Sequence, residues 1–127
     1  MASFSVSFSS IDAPSGSVHV LGLSGELDAH TAPEFEHALQ DCLRSERTRL
    51  VVSGDDLRYV SSAGLGVFMA YLEPVRSAGG DLKIAALSEE VFEVFDLLGF
   101  PLLFDIADTA EAAAARFDAA PEASGNA

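Results

Sequence analysis

The segment Tyr59-Val60-Ser61-Ser62-Ala63-Gly64-Leu65-Gly66 decides how this chain folds, because a strand runs into a helix within it. Serine is favoured at a helix N-cap, where its hydroxyl accepts a hydrogen bond from a free backbone N–H. Helical spacing continues from Ser61 or Ser62 to about Ser77, and Gly79-Gly80 ends the helix. The segment therefore predicts a strand-to-helix junction of the kind that builds α/β proteins.

The alternation of strands and helices extends to both sides of this junction. Before it we expect a hairpin of two strands (4–8 and 18–23), a helix from Thr31 with a capping box completed by Glu34, and a buried strand at 50–52 that ends near Gly54. After it we expect a strand at 82–86, a helix capped by Ser88, a short strand at 102–104, and a helix from an Asp108 cap to about Phe117. The order β-β-α-β-α-β-α-β-α predicts an antiparallel hairpin joined to parallel strands.

Length and charge limit what the chain can be. Its 127 residues, 49% of them apolar, are typical of one folded domain, which we expect to span residues 1–118 with a disordered tail at 119–127. Seven basic residues against twenty acidic ones leave a net charge of −13, and Lys83 is the only lysine. This balance argues against a nucleic-acid-binding surface and against binding to an anionic membrane.

The sequence indicates no catalytic, cofactor or metal site. No Walker pattern precedes Lys83, and Ser62 lacks the Gly-x-Ser-x-Gly context of a hydrolase nucleophile. Metal-ligand spacing is absent among the three histidines, His19, His30 and His37. Cys42 is the only cysteine, so no intramolecular disulfide forms, and we find neither a signal peptide nor a membrane-spanning segment. We therefore expect a soluble cytoplasmic protein.

The helix that follows Ser62 is apolar on two sides. We expect one side to face the core, and it carries Leu65, Phe68, Met69, Leu72 and Val75. The opposite side, which is normally polar, carries Ala63, Val67, Ala70 and Tyr71. Either the helix is buried on both sides, or its outer side is a partner-binding patch. We favour the patch, because a small single domain has little material to cover both sides.

A serine hydroxyl at the start of such a helix is well placed to act as a switch. Phosphorylation adds a charge of about −1.5 to −2, which the positive end of the helix dipole tolerates. A partner surface that accepts neutral serine would instead meet a buried dianion. We therefore expect phosphorylation to break a complex and leave the fold intact.

With these motifs the chain resembles a STAS domain, and in particular a bacterial anti-sigma-factor antagonist. The matching stretches cover roughly residues 4–117 and are Gly25–Ala32, Leu50–Val52, Leu57–Val67, Gly79-Gly80 and Phe95–Phe100. The resemblance implies a single α/β domain with helices packed mainly on one side of a mixed, mostly parallel sheet.

The resemblance also implies a partner switch. The unphosphorylated antagonist binds an anti-sigma factor that is also a serine kinase, the kinase phosphorylates it from ATP, and a serine phosphatase resets it. By position the phosphoacceptor is Ser62, and Asp28 lies beside it. The partner-binding residues implied are Asp28, Ser61, Ala63, Gly64, Val67, Ala70 and Tyr71. We expect a monomer or a weak dimer, with self-association through the apolar face at Val67 and Tyr71.

This sequence departs from the usual Asp-Ser-Ser-Gly-Leu pattern of that family. Ser61 replaces the aspartate and is a rival phosphoacceptor, while Ala63 replaces the second serine. Two other functions remain open. One is an accessory STAS subunit of a stress-signalling scaffold or lipid-transport complex, and the other is a nucleotide-binding protein or enzyme.

Overall fold

The computed structural model of the chain describes residues 3–118. Its elements are β1 Phe4–Ala13, β2 Gly16–Leu27, α1 Ala32–Arg44, β3 Arg49–Val60, α2 Ser62–Ser77, β4 Asp81–Ala85, α3 Glu89–Leu97, a 3-10 helix Phe100–Leu102, β5 Ile106–Ala107 and α4 Ala110–Ala115. The predicted tail at 119–127 lies outside the described residues.

One five-stranded sheet organises the fold, with the strands in the order β1-β2-β3-β4-β5. β1 is antiparallel to β2, and the other three neighbouring pairs are parallel. The predicted α/β class, element order and mixed, mostly parallel sheet are therefore confirmed. Because β2 and β3 are parallel neighbours, the loops that follow them emerge side by side at one end of the sheet.

The sheet buries both of its faces, but unequally. The larger core lies under α1, α2 and α3, where the ring of Phe68 packs against Phe35 at a centroid distance of 4.9 Å and against Phe95 at 5.4 Å. The smaller core lies under α4, where Ala113 and Ala114 cover valine side chains of β2 and β3. Three helices thus pack on one side and α4 on the other, as expected for helices mainly on one side.

Lys83 lies on the α4 side of β4 and is only 7% exposed. Its Nζ donates to Asp81 at 3.0 Å and to Asp105 at 3.3 Å, and it lies 4.6 Å from the centroid of the Phe117 ring. Burial by itself raises the pKa of Asp81, but hydrogen bonds from Arg76 and Lys83 outweigh it and hold that pKa below its ordinary value. The ammonium is thereby neutralised by two carboxylates, which a buried lysine requires.

Several predicted elements differ in the structure, and β1 and β2 are longer than the expected 4–8 and 18–23. β3 does not end near Gly54 but continues to Val60, because its pairing with β2 continues to Leu27↔Val60 across two register shifts. The strand expected at 102–104 is wrong. Phe100–Leu102 forms a 3-10 helix, and the Phe104 N–H donates to the Phe100 carbonyl at 2.8 Å, which places both rings in the core.

The last strand is instead the two-residue β5. Two of the expected helix caps can also be compared. Ser88 caps α3 as predicted, accepting from the Val91 N–H at 3.2 Å. Thr109, not Asp108, caps α4, because its hydroxyl accepts from the Ala112 N–H at 3.0 Å, and α4 ends at Ala115 and not near Phe117.

Candidate functional site

The two sequence stretches that carried the functional prediction meet at the C-terminal end of the sheet. β2 and β3 pair up to Leu27↔Val60, and the Ser61 N–H donates to the Leu27 carbonyl at 2.9 Å. Asp28 and Ser61 are the next residues on the two strands. The loop that begins at Asp28 and the first turn of α2 therefore form one continuous surface.

The two candidate phosphoacceptors differ in accessibility. Ser61 is the N-cap of α2, yet its hydroxyl makes no capping bond, and its Oγ is buried with no hydrogen-bond partner among the described residues. Ser62 is the first residue of the helix, and it is exposed. Ser62 is therefore accessible at the surface, whereas the Ser61 hydroxyl becomes accessible only if its side chain rotates or the backbone shifts.

Gly64 fixes how α2 sits on the sheet. A Cβ added to this residue would lie 2.6 Å from the Leu27 Cγ and 3.1 Å from the Val60 Cγ2, which is closer than side chains pack. The missing side chain lets the first turn of the helix press against the ends of β2 and β3. Gly64 is buried by this contact, so it shapes the proposed binding surface from beneath.

The faces of α2 differ from the prediction at two residues. Met69, expected in the core, is 46% exposed, and Val67, expected on the outer side, is only 8% exposed. The close approach at Gly64 sets the rotation of the helix. A glycine adds nothing to a pattern of hydrophobic residues, so that pattern could not predict this rotation. Val67 lies one turn before Tyr71 and on the same side of the helix.

Tyr71 ties α2 to α1 and is not a free surface residue. Its hydroxyl donates to Glu36 Oε2 at 2.9 Å and accepts from Gln40 Nε2 at 2.9 Å. Burial, followed by the hydrogen bond to Glu36, raises the pKa of Tyr71. Val67 is buried and Tyr71 is bound to α1. These two residues therefore do not form the exposed apolar face through which we expected self-association.

An uncharged outer face of α2 does remain. It consists of the exposed residues Ser62, Ala63, Gly66, Met69 and Ala70, and we call it the α2 face. A Cβ at Gly66 would meet nothing within 4 Å, so this part of the helix is open. Sequence reasoning missed Gly66 and Met69 as members. Their spacing of four and seven residues from Ser62 is the signal that identifies them.

Asp28 holds the loop next to this face. Its Oδ1 accepts from the His30 N–H at 2.9 Å and from the Thr31 N–H at 3.2 Å. The Thr31 hydroxyl bonds to residues that precede α1 and not to the helix itself. It donates to the Glu26 carbonyl at 2.8 Å and accepts from the Asp28 N–H at 2.9 Å. The predicted capping box of Thr31 and Glu34 is therefore wrong: Thr31 is the N-cap of α1 but makes no side-chain capping bond.

The sequence and the fold are similar to those of known proteins. A family model described as the STAS domain matches residues 13–113. The chain belongs to the STAS family. This chain is 33% identical over 91 residues to the anti-sigma-B factor antagonist of Bacillus subtilis. The matched region covers 72% of this chain and 83% of that protein.

Solved structures show the same fold. An anti-sigma factor antagonist from Mycobacterium paratuberculosis superposes with a TM-score of 0.72 at 25% identity, covering 86% of the STAS domain and 91% of that chain. The anti-sigma factor antagonist SpoIIAA in its unphosphorylated form superposes with a TM-score of 0.72 at 20% identity. The match covers 91% of this chain and 96% of that chain.

Two further observations bear on the kind of site present. Within residues 3–118, no three His, Cys, Asp or Glu side chains come together as ligands for a metal ion. None of the helices in the same range has the length and apolar character needed to cross a bilayer.

Proposed function

We propose that this STAS domain is an anti-sigma factor antagonist, which acts by binding and not by catalysis. It engages an anti-sigma factor in the cytoplasm and so releases a sigma factor for transcription. The relative from Bacillus subtilis and the structural neighbour from Mycobacterium paratuberculosis carry this function in their names, which supports the assignment. The net charge of −13 fits a protein that influences transcription without touching DNA.

The binding surface is the α2 face together with the loop that begins at Asp28. The first eleven residues of α2, up to Leu72, carry no charged side chain, and the first charge is Glu73. Uncharged, open surface of this kind favours contact with another protein. The observation that carries the proposal is the exposure of Ser62 at the start of this face.

Ser62 is the switch. A partner that is also a serine kinase transfers the γ-phosphoryl group of ATP to the Ser62 Oγ, releasing ADP and the hydroxyl proton. The phosphate brings a charge of about −1.5 to −2 onto a surface that carried none. Free backbone N–H groups of the first turn of α2 stabilise it in the isolated domain. A serine phosphatase restores the binding form.

A phosphorylation assay tests the acceptor. The wild type, Ser62→Ala and Ser61→Ala are each incubated with ATP and the cognate anti-sigma kinase, and the incorporated phosphate is measured by intact mass. We expect one phosphate on the wild type and on Ser61→Ala, and none on Ser62→Ala. Normal phosphorylation of Ser62→Ala refutes the assignment.

Titration calorimetry with the anti-sigma factor tests the switch. We expect Ser62→Asp to weaken binding by about 100-fold, within the range of allosteric and switch couplings. Ser77→Asp adds the same charge at the other, exposed end of α2 and should bind like the wild type. If Ser62→Asp binds as tightly as Ser77→Asp, phosphorylation does not control this interface.

A further inference from the structure

The outer edge of β1 has no neighbouring strand. β1 lies at one end of the sheet and pairs with β2 without a register shift, from Phe4↔Gly25 to Ala13↔Gly16. The edge strand at the other end, β5, has only two residues. Among residues 3–118, β1 therefore presents the longest unpaired strand edge, since the side of β3 that faces β4 is unpaired only from Gly54 to Val60.

The hydrogen-bonding pattern shows which residues of β1 face outward. The Glu26 N–H donates to the Ser3 carbonyl at 3.3 Å, which makes Ser3 and Glu26 a hydrogen-bonded pair. In an antiparallel ladder such pairs alternate with pairs whose N–H and C=O groups point away. The odd-numbered residues therefore bond to β2, and the backbone groups of Phe4, Val6, Phe8 and Ser10 point outward.

This edge lacks the usual protection against pairing. Natural edge strands carry charges, proline or bulges that prevent association. From Ser3 to Ile11 there is neither charge nor proline, although 21% of the whole chain is charged, and the first charge is Asp12. Phe8 projects from the middle of the strand with 59% of its surface exposed.

We propose that β1 pairs antiparallel with β1 of a second copy of this chain, so that two five-stranded sheets join into one of ten strands. The two-fold axis passes beside Phe8. Because the even-numbered residues face outward on both copies, Phe8 lies opposite Phe8, and Val6 opposite Ser10. Cross-strand aromatic pairs stabilise such contacts.

The residue pattern of β1 is self-complementary about Phe8, which favours a second copy as the occupant of the edge. In this register Asp12 of each copy lies opposite Phe4 of the other, so the two carboxylates are about 27 Å apart along the strands. Two chains of net charge −13 thus meet along their uncharged stretch. The axis is perpendicular to the sheet, so the two Ser62 residues lie at opposite ends of the dimer and both stay accessible.

Measuring the oligomeric state of the full chain tests the proposal. Light scattering after size exclusion should give twice the mass of one chain for the wild type and one mass for Phe8→Lys, which places two ammonium groups opposite each other. Leu102→Lys is the matched control, because Leu102 is 90% exposed but lies in the 3-10 helix. It should remain a dimer.

Three results overturn the proposal: a wild type that stays monomeric up to about 1 mM, a Phe8→Lys variant that stays dimeric, or a Leu102→Lys variant that dissociates. Circular dichroism of both variants establishes that they are folded. Phosphorylation of Ser62 should proceed normally in Phe8→Lys. A failure of the dimer proposal can therefore be distinguished from a failure of the proposed function.

Disulfide trapping tests the register. In the proposed dimer Ser7 lies opposite Ser9 in a pair that is not hydrogen-bonded across the new interface, with Cα atoms about 4.5 Å apart, within disulfide range. Mixing the Ser7→Cys and Ser9→Cys variants under oxidising conditions should give a cross-linked heterodimer in higher yield than either variant alone. No excess in the mixture refutes the register.

Discussion

Gly64 lies against Leu27 so closely that no side chain fits between them. A Cβ on Gly64 would approach the Leu27 Cγ to 2.6 Å and its Cδ2 to 2.8 Å. Leu27 is the last residue of β2 and is fully buried. This contact sets the depth and rotation of α2 and thereby decides which of its residues reach the surface.

The first prediction concerns this contact. Gly64→Ala should lower the free energy of unfolding by about 1–3 kcal/mol, because overpacking a rigid contact exceeds the gain in helix propensity. Gly66→Ala is the matched control: its Cβ would meet nothing within 4 Å. It should raise stability by about 0.5–1 kcal/mol. Urea unfolding of both variants measures the difference, and equal effects would show that Gly64 is not tightly packed.

The second prediction separates the two serines by stability. Ser62→Asp places a carboxylate in the exposed first turn of α2 and should stabilise by about 0.3–1 kcal/mol. Ser61→Asp places it at the N-cap, where the usual family pattern has aspartate and where a carboxylate can accept from the free N–H groups that the Ser61 hydroxyl leaves unbonded. It should stabilise more, by about 0.5–2 kcal/mol.

Urea unfolding of the two variants at neutral pH checks the sign of each change. Both carry the same added charge on adjacent residues, so each serves as the control for the other. Destabilisation by Ser62→Asp would contradict the view that the domain tolerates a phosphate at this position.

The third prediction is a pH dependence from Tyr71. Burial and the bond to Glu36 raise its pKa above the value of 10.0 for a free tyrosine. The folded state therefore favours the protonated phenol, and this stability is present below pH 10 and is lost as pH rises through the folded pKa. Urea unfolding between pH 8 and 11 should show a steeper loss for the wild type than for Tyr71→Phe.

At neutral pH, Tyr71→Phe should also cost about 1 kcal/mol, because Glu36 and Gln40 lose their shared partner. Parallel pH profiles for the two proteins would show that Tyr71 contributes no pH-dependent stability.

The fourth prediction assigns Asp28 to the loop. Asp28→Ala removes the acceptor of two backbone N–H groups and should destabilise by about 0.5–2 kcal/mol. Asp28→Asn keeps the side-chain oxygen and should retain most of the stability. If calorimetry then shows weaker binding of the anti-sigma factor by Asp28→Asn, the charge and not the loop geometry contributes to the partner surface. Equal stability losses in the two variants would contradict the role of the Asp28 side-chain oxygen in holding the loop.

The sequence predicted the strand-to-helix junction well, because Ser61 and Ser62 follow an apolar strand and precede helical spacing. The family resemblance also predicted that the Asp28 loop and Ser62 are neighbours. In the structure, the parallel pairing of Leu27 with Val60 brings Asp28 and Ser61 side by side. These features depend on local patterns and on strand order.

The rotation of α2 was not predictable in the same way. Nearly every residue from Ala63 to Leu72 is apolar or small, so the spacing does not distinguish an inner from an outer side. The exchange of Met69 and Val67 follows from a tertiary contact at a glycine. The strand expected at 102–104 failed because short apolar runs fit a strand or a turn equally, and the Phe100 and Phe104 rings determine the outcome by packing.

The burial of Lys83 has a practical consequence for labelling. Its amine is the only lysine amine in the chain, and it is held by Asp81 and Asp105 on a side chain that is 9% exposed. Reagents that attack amines need access to the nitrogen atom, so lysine-directed cross-linkers and dyes should leave residues 3–118 almost unmodified. Chemistry directed at carboxylates suits this protein, with acidic residues spread over its surface as handles for mapping its complexes.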